Sequence, residues 1–491
     1  MRLPTALLPL VLCLAASLQS ARAAPNHARA NAPLPLAVAQ ALRQAEVPET
    51  ALGVWVQALD EASPRLQWQA GMPLNPASLA KLATTYAALE QLGPGFTWPT
   101  SVWLNGRLGD DGVLDGDLVI KGSGDPKLGT ERLVMLLRRL RDQYGLREIR
   151  GQVVLDRSAF APPEGSPADF DAEPWRPANV QSDALLFNYK SLVYTVRPDP
   201  ARRVATITSD PPLDGPVSVP LAPGVCEDWR VQVRLQWQVG QHPRFDGSYP
   251  QGCPEAQWQL ADPEPASYGA RLLATLWHEL GGRLRGGIVD GLAPATPPTL
   301  AIQSPPLAEL VRDINKNSNN VMAQHLLLTL ARPADGTAVA PAAAADWLGQ
   351  WFQTQIGSAG PAAPWFVNGS GLARETRISA AQLAALLRQA WASPRMPEFV
   401  ASLPLAGIDG TLMRQPARFG AALGRAHLKT GSLRDVVGLA GYVQSPSGRR
   451  WLLVAMVNHA RAAAARPALD ALVRWVAQDA PPARAGAATS Q

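Results

Sequence analysis

The spacing of apolar positions divides the 491-residue chain into three zones. In the first, apolar residues recur at helical spacing over 36–45 and then alternate over 52–59 and 66–70, which predicts a helix followed by a β-hairpin. Leu79, Leu82, Tyr86 and Leu89 return to helical spacing after Pro76, so a second helix starts near that proline and runs to about Gln91. Leu92-Gly93-Pro94-Gly95 stops it. From Phe96 to about Pro298 the pattern becomes short alternating runs punctuated by Gly and Pro. Strands are predicted at 113–121 and 149–156 around a helix at 130–144, with further strands at 192–196 and 204–209. Residues 229–239 also read as a strand, with Trp229, Val231, Val233, Leu235 and Trp237 on one face. A helix at 268–280 leads to a strand at 287–289, and the proline-rich, acidic stretch 161–179 reads as a long surface loop. In the last zone helical spacing resumes over 307–330, 342–356 and 380–390. Strand-like runs at 426–431, 437–443 and 451–458 and a closing helix at 467–477 follow.

If the C-terminal strands join the N-terminal hairpin, both chain ends build one antiparallel sheet covered by helices, an α/β (α+β) fold. The expected organisation is one discontinuous domain from 24–95 and 300–480, interrupted at 96–299 by one or two small β-rich domains. The small, polar segment 481–491 reads as a disordered tail.

Composition changes the picture first at the N-terminus. Arg2, the apolar run 6–16 and Ala21-Arg22-Ala23 ahead of Ala24 fit a secretory signal cleaved after Ala23, so residues 1–23 read as a leader and the protein as exported. Cys13 lies inside that leader behind Leu12, where a lipoprotein signal wants a small residue, so lipid anchoring is not expected. Cys226 and Cys253 remain; in an exported protein they fit a disulfide, with two reduced thiols as the alternative. Beyond the leader no apolar run approaches the roughly 18 to 20 residues that span a bilayer, which argues against a transmembrane anchor. The formal charge is +5, but basic residues are dispersed among carboxylates, and no basic run interleaved with aromatics points to nucleic acid. His278-Glu279 lacks the second histidine of a zinc-protease helix, Gly122-Ser123-Gly124 lacks the lysine and hydroxyl of a phosphate loop, and no G-x-S-x-G elbow occurs. No metal or cofactor is expected.

Ser78 and Lys81 stand three residues apart at the start of the second helix and share one of its faces. A helix N-terminus favours developing negative charge, and a neutral lysine beside a serine can take its proton during attack on a carbonyl. Alone, the same residues are better explained as a capping serine followed by an exposed lysine. Two further motifs supply what a nucleophile needs. In Ser318-Asn319-Asn320 a second hydroxyl would relay a proton to a leaving amine, and Asn320 would hold a substrate amide through both its donor and its acceptor. In His427-Leu428-Lys429-Thr430-Gly431-Ser432-Leu433, on an edge strand, Lys429, Thr430 and Ser432 offer a cation and two hydroxyls to a carboxylate, and Gly431 would let a substrate backbone lie close. Positive charge is otherwise carried mostly by arginine, so each lysine, which burial can render neutral, stands out.

S-x-x-K, S-x-N and K-T-G in this order are the signature of penicillin-recognising serine acyltransferases, which the chain resembles. About 240 residues separate Ser78 from Ser318, more than in a class A β-lactamase. That gap is similar to the class C low-molecular-mass penicillin-binding proteins, which are D-alanyl-D-alanine carboxypeptidases and endopeptidases. Gly116-Asp117-Leu118 with Gly122-Ser123-Gly124-Asp125-Pro126, Asn368-Gly369-Ser370-Gly371-Leu372, Leu405-Ala406-Gly407-Ile408-Asp409-Gly410-Thr411-Leu412 and Met456-Val457-Asn458-His459 extend the resemblance from about Leu36 to Ala477. Asn368 stands where aspartate is common and is expected to support the fold.

The resemblance implies a penicillin-recognising core carrying a large β-rich insertion. It also implies attack by Ser78 on the carbonyl between two D-alanines, with an acyl-enzyme that water releases. It assigns Lys81 as base and Ser318 as proton shuttle, Lys429, Thr430 and Ser432 as holders of the terminal carboxylate, and the backbone N–H groups of Ser78 and Ser432 as the oxyanion hole. From an unperturbed pKa near 10.4, deprotonating Lys81 at pH 7 costs about 4 to 5 kcal/mol, so Lys429 and burial are expected to lower it. Arg374 and Asp171 would pair with the carboxylate and amine of a diaminopimelate side chain, or else are ordinary surface charges. The expected partners are peptidoglycan muropeptides as substrates and β-lactam antibiotics as covalent inhibitors, in the periplasm; a homodimer is left open. A β-lactamase and a non-catalytic peptidoglycan-binding scaffold are the competing readings.

Overall fold

The computed structural model describes residues 33–357, 359 and 362–479. The leader at 1–23 and the tail at 481–491 lie outside the described residues.

A five-stranded antiparallel sheet is built from both chain ends, in the order Ala426–Leu433, Val436–Gln444, Arg450–Asn458, Leu52–Ala58, Leu66–Trp68. Its central strands are apolar at nearly every position because both faces are covered. Along Arg450–Asn458, Leu452, Val454 and Met456 enter one core while Trp451, Leu453, Ala455 and Val457 enter the other, as side-chain alternation requires. On one face the helices Leu36–Gln44 and Arg466–Ala477 bring Val38, Leu42, Leu469, Leu472 and Val476. On the other, Lys81–Gln91, Leu307–Asn317, Asn320–Leu330 and Ala380–Ala392 bring Leu82, Tyr86, Leu310, Ile314, Leu326 and Leu383. The expected α/β fold with a sheet closed by both termini is therefore present.

Between these halves lie a seven-stranded mixed sheet, a five-stranded sheet and a two-stranded ribbon. Strand Leu300–Gln303 pairs with Pro99–Leu108, so the sheet of the middle region runs past residue 299. Cys226 and Cys253 are joined by a disulfide across this region.

Three expectations need correction, and one strand was not expected. The helix expected over 307–330 is two helices, Leu307–Asn317 and Asn320–Leu330, because Ser318 adopts a left-handed φ of 56° and Asn319 caps the second through its side chain, which accepts from Met322 N–H. The apolar spacing conceals the break because both helices face the same core. Within 229–239, Trp229–Val233 is a helical turn and only Leu235–Gln238 a strand; Trp229 and Val233 are buried one turn apart, whereas Val231 is 69% exposed. The strand expected over 149–156 is divided into Glu148–Ile149 and Val153–Asp156. Pro99–Leu108 went unread because only Thr100, Val102 and Trp103 of its ten residues are buried, too few for an alternation.

The 161–179 stretch is not merely a surface loop. At its start Ala161 N–H donates to Val339 O (3.0 Å), and near its end the Ala178 carbonyl accepts from Asn320 Nδ2 (3.3 Å). It is anchored by buried Asp183, which takes Arg157 and Lys190 on one carboxylate oxygen and the Leu185 N–H on the other. Burial alone would raise the Asp183 carboxyl, but Lys190 and Arg157 outweigh it and hold the group below the usual carboxylate range. Asp183→Asn leaves two poorly exposed cations facing a neutral amide and is expected to cost about 3–5 kcal/mol of stability, read from denaturant midpoints. Because a depressed carboxyl stabilises above its unfolded pKa, the gap from wild type narrows as pH falls below about 4. An unchanged midpoint at neutral pH would rule out this anchor.

Candidate active site

Ser78 sits in a short 3-10 turn, Ala77–Ala80, that leads into the Lys81–Gln91 helix. Ala77, immediately before it, is left-handed at φ 47°, a conformation an alanine holds only when its surroundings impose it. Asn75 imposes it: its Oδ1 accepts the Ala77 N–H (2.8 Å), and its Nδ2 donates to the carbonyls of Ala373 (2.9 Å) and Arg374 (3.0 Å). Asn458, at the end of a central strand, exchanges two hydrogen bonds with the Asn75 backbone, at 2.7 and 3.0 Å. Two glycines then let neighbouring chain close on the turn. A Cβ on Gly371 would lie 1.9 Å from Ala77 O, and one on Gly431 2.6 Å from Pro76 O. The space a Gly431 side chain would need is thus filled by the Ser78 turn and Leu79.

Lys81 points back along the helix to Ser78. Its Nζ donates to Ser78 Oγ (2.9 Å), Asn320 Oδ1 (2.7 Å) and Ser370 O (2.7 Å). The turn that presents Ser370 O is wound around Asn368, whose Oδ1 accepts the N–H groups of Ser370 (3.1 Å) and Gly371 (2.8 Å), an acceptor role an amide fills as well as a carboxylate. Lys429, on Ala426–Leu433, donates from Nζ to Ser318 Oγ (2.8 Å) and Thr430 O (3.0 Å). Both lysines are fully buried, and among the described residues neither makes an ion pair with a carboxylate. Burial first, and then the Lys429 cation, push Lys81 well below the ordinary lysine value. Burial brings Lys429 down to about 7.

The break at Ser318 is what brings the S-x-N motif into the site. The left-handed residue turns its hydroxyl toward Lys429, and the helix restarting behind Asn319 presents Asn320 to Lys81. Asn320 spends Oδ1 on Lys81 and one Nδ2 proton on Ala178 O, so it braces the lysine and the 161–179 loop instead of offering a free amide pair to substrate. Thr430 Oγ1 meets Thr411 Oγ1 at 2.8 Å, and Ser432 Oγ accepts from Arg466 Nη2 at 3.1 Å. Ser78, Ser318, Thr430 and Ser432 share a cleft of about 450 Å³ with Thr411, Arg414, Gln415, Arg418 and Arg466.

Residues 34–479 match the model of the D-Ala-D-Ala carboxypeptidase 3 (S13) family. The chain belongs to this family. It is a serine-type D-Ala-D-Ala carboxypeptidase. Among curated S13-type relatives, it is similar to the D-alanyl-D-alanine carboxypeptidase DacB of Haemophilus influenzae, at 26% identity over 78% of this chain and 80% of that one. The D-alanyl-D-alanine carboxypeptidase of Actinomadura sp. (strain R39) is 28% identical over 79% of this chain and 74% of its own length. In fold it is similar to penicillin binding protein 4 (dacB) of H. influenzae, with a TM-score of 0.72 at 21% identity over 89% of this chain and 99% of that one. That protein has also been solved with a bound novel β-lactam.

Two further expected residues are engaged with the 161–179 loop. Asp171 is consumed by its own loop: its carboxylate accepts from Arg176 (2.9 Å), Asn179 Nδ2 (2.7 Å) and the Glu173 N–H (3.0 Å). Arg374 is exposed, donates to Phe170 O (3.1 Å) and lies over the Phe170 ring at 5.0 Å, so it docks on the 161–179 loop. Sequence reasoning missed the bracing roles of Asn75 and Asn458 and the cleft residues Thr411, Arg414, Arg418 and Arg466. Asn458 and Thr411 lie in stretches singled out for the resemblance; the arginines carried no signal in a chain rich in arginine.

Lys429→Ala deletes the like charge that helps depress Lys81, so the Lys81 pKa rises. A neutral Lys81 is then available only at higher pH, and the acid limb of Ser78 acylation by a β-lactam, followed by stopped flow, moves up in pH. A limb that stays or moves down would show that the two lysines are not coupled. Lys81→Met is expected to slow acylation by about 10²–10⁴-fold.

Proposed function

We propose that Ser78 is the nucleophile of an exported D,D-peptidase acting on peptidoglycan stem peptides. The observation that carries this reading is the hydrogen bond from a fully buried, carboxylate-free Lys81 to Ser78 Oγ. Burial beside a second cation already disfavours the ammonium, which supports Lys81 as an amine able to accept a proton near neutral pH.

In the proposed cycle Ser78 Oγ bonds to the carbonyl carbon between two D-alanines as its proton passes to Lys81 Nζ. The oxyanion is held by the N–H groups of Ser78 and Ser432. Ser318 Oγ accepts from Lys429 and passes its own proton to the departing nitrogen, taking one in turn from Lys81, as the C–N bond breaks and D-alanine leaves. Water then attacks the ester, passing a proton to Lys81, and Lys81 returns that proton to Ser78 Oγ as the C–Oγ bond breaks. Lys429, Thr430 and Ser432 seat the carboxylate of the leaving residue. β-Lactams, which present an amide and a carboxylate in the same relation, enter the same path and stop at the acyl-enzyme. The catalytic domain is assigned to 24–95 with 300–480, less the Leu300–Gln303 strand that pairs into the sheet of the 96–299 insertion, and residues 1–23 are the leader that directs the protein to the periplasm.

The test is incubation of wild type and Ser78→Ala with a pentapeptide and with cross-linked muropeptides, followed by mass spectrometry. Wild type is expected to release D-alanine and to gain a penicillin adduct on the Ser78 peptide, and Ser78→Ala to do neither. Turnover in the variant would overturn the assignment. Muropeptide binding with no release by wild type would instead favour a scaffold.

A further inference from the structure

We propose that Arg414, Arg418 and Arg466 form an anion subsite at the mouth of the cleft that recognises a second carboxylate on the leaving group, beyond the one seated at Thr430 and Ser432. This rests on Ser78 being the nucleophile and on that carboxylate seat.

The cleft has a single sign. Its lining contains three guanidiniums, several hydroxyls and an amide, with no carboxylate. Behind it stand Lys81 and Lys429. One carboxylate, the group a departing D-alanine offers, is already matched by Thr430, Ser432 and Lys429, so the arginines exceed what that substrate needs. Their positions extend outward from the seat. Arg466 donates to Ser432 Oγ at 3.1 Å, and Arg414 and Arg418 follow Thr411, whose hydroxyl touches Thr430.

The arginines are also undersatisfied. Arg414 and Arg466 are exposed, and among the described residues neither is ion-paired. Arg418 Nε is buried and finds no hydrogen-bond partner among the described residues. Its recorded ion-pair partner, Asp470, lies 3.8 Å away, beyond hydrogen-bond range, and burial raises the Asp470 carboxyl against the pull of the nearby arginines. A guanidinium fork beside a cleft whose lining holds no carboxylate suits a carboxylate supplied by a ligand. Such a leaving group is a D-amino acid bearing a further acid, as in a cross-linked stem, where the amine released at the scissile bond belongs to a residue with more carboxylates along its chain.

The test uses three peptides with the same scissile D-alanyl bond. In the first the leaving residue is D-2-aminopimelate with a free distal carboxylate, in the second that carboxylate is amidated, and in the third the amidated peptide carries an extra carboxylate on the acyl donor. Wild type is expected to show kcat/KM about tenfold higher for the first than for the second and third, and the preference should shrink near 1 M salt, where the screening length is only about 3 Å. The Arg414→Gln, Arg418→Gln double variant should reduce the preference to under about threefold. Equal rates in wild type, a preference surviving in the double variant, or one that follows the donor carboxylate would overturn the subsite. Penicillin acylation of Ser78, measured on the same samples, separates the two readings. Acylation without the preference sinks only the subsite, whereas no acylation sinks the nucleophile on which it rests.

Discussion

The structure depends on placing an amine where an ammonium is poorly tolerated. Lys81 is fully enclosed, faces Ser78, Asn320 and the Ser370 carbonyl, and has Lys429 nearby in place of a carboxylate. Each of these partners comes from a different part of the chain. Ser78 arrives through a strained alanine, Asn320 through a helix broken at a left-handed serine, Ser370 through a turn wound on Asn368, and Lys429 on the sheet's edge strand. A cation stripped of water and left without a counter-ion is costly. The packing of the two cores is what sustains that cost, and the lowered lysine pKa is its chemical return.

Three asparagines do much of the positioning. Asn75 bends the nucleophile turn, Asn458 ties that turn to the central strand, and Asn368 shapes the loop that presents Ser370 O. An amide carries a donor and an acceptor but no charge, so it can brace backbone on two sides without disturbing the titration of two neutral-leaning lysines. Asn320 belongs to the same logic, since its carbonyl holds Lys81 while its amide reaches the Ala178 carbonyl. Through that bond the 161–179 loop, followed by the Asp183 ion pairs, abuts the partner of Lys81. The middle region is therefore tied to the cleft's surroundings through Asn320.

Much of the fold and of the site was legible in the chain. The hairpin at 52–70, the three C-terminal strands and the flanking helices followed from apolar spacing, because strands buried on both faces and helices with one apolar stripe leave clear periods. The three motifs named Ser78, Lys81, Ser318, Asn320 and Lys429, since that chemistry requires those residue types in short, fixed spacings. Residues 229–239 misled because Trp229 and Val233 fit either a strand face or one turn of helix. The partners of Asp171 and Arg374 within the 161–179 loop were not legible, because charge in a sequence says nothing about which partner satisfies it.

What the sequence determined by itself was the inventory of reactive groups and the elements that carry them, properties set within a few residues along the chain. Tertiary structure alone decided that Lys81 has no carboxylate partner among the described residues, that Gly431 makes room for Pro76, and that three scattered arginines meet at one cleft. Burial, close approach and net field are sums over residues tens to hundreds of positions apart, and no local pattern records them.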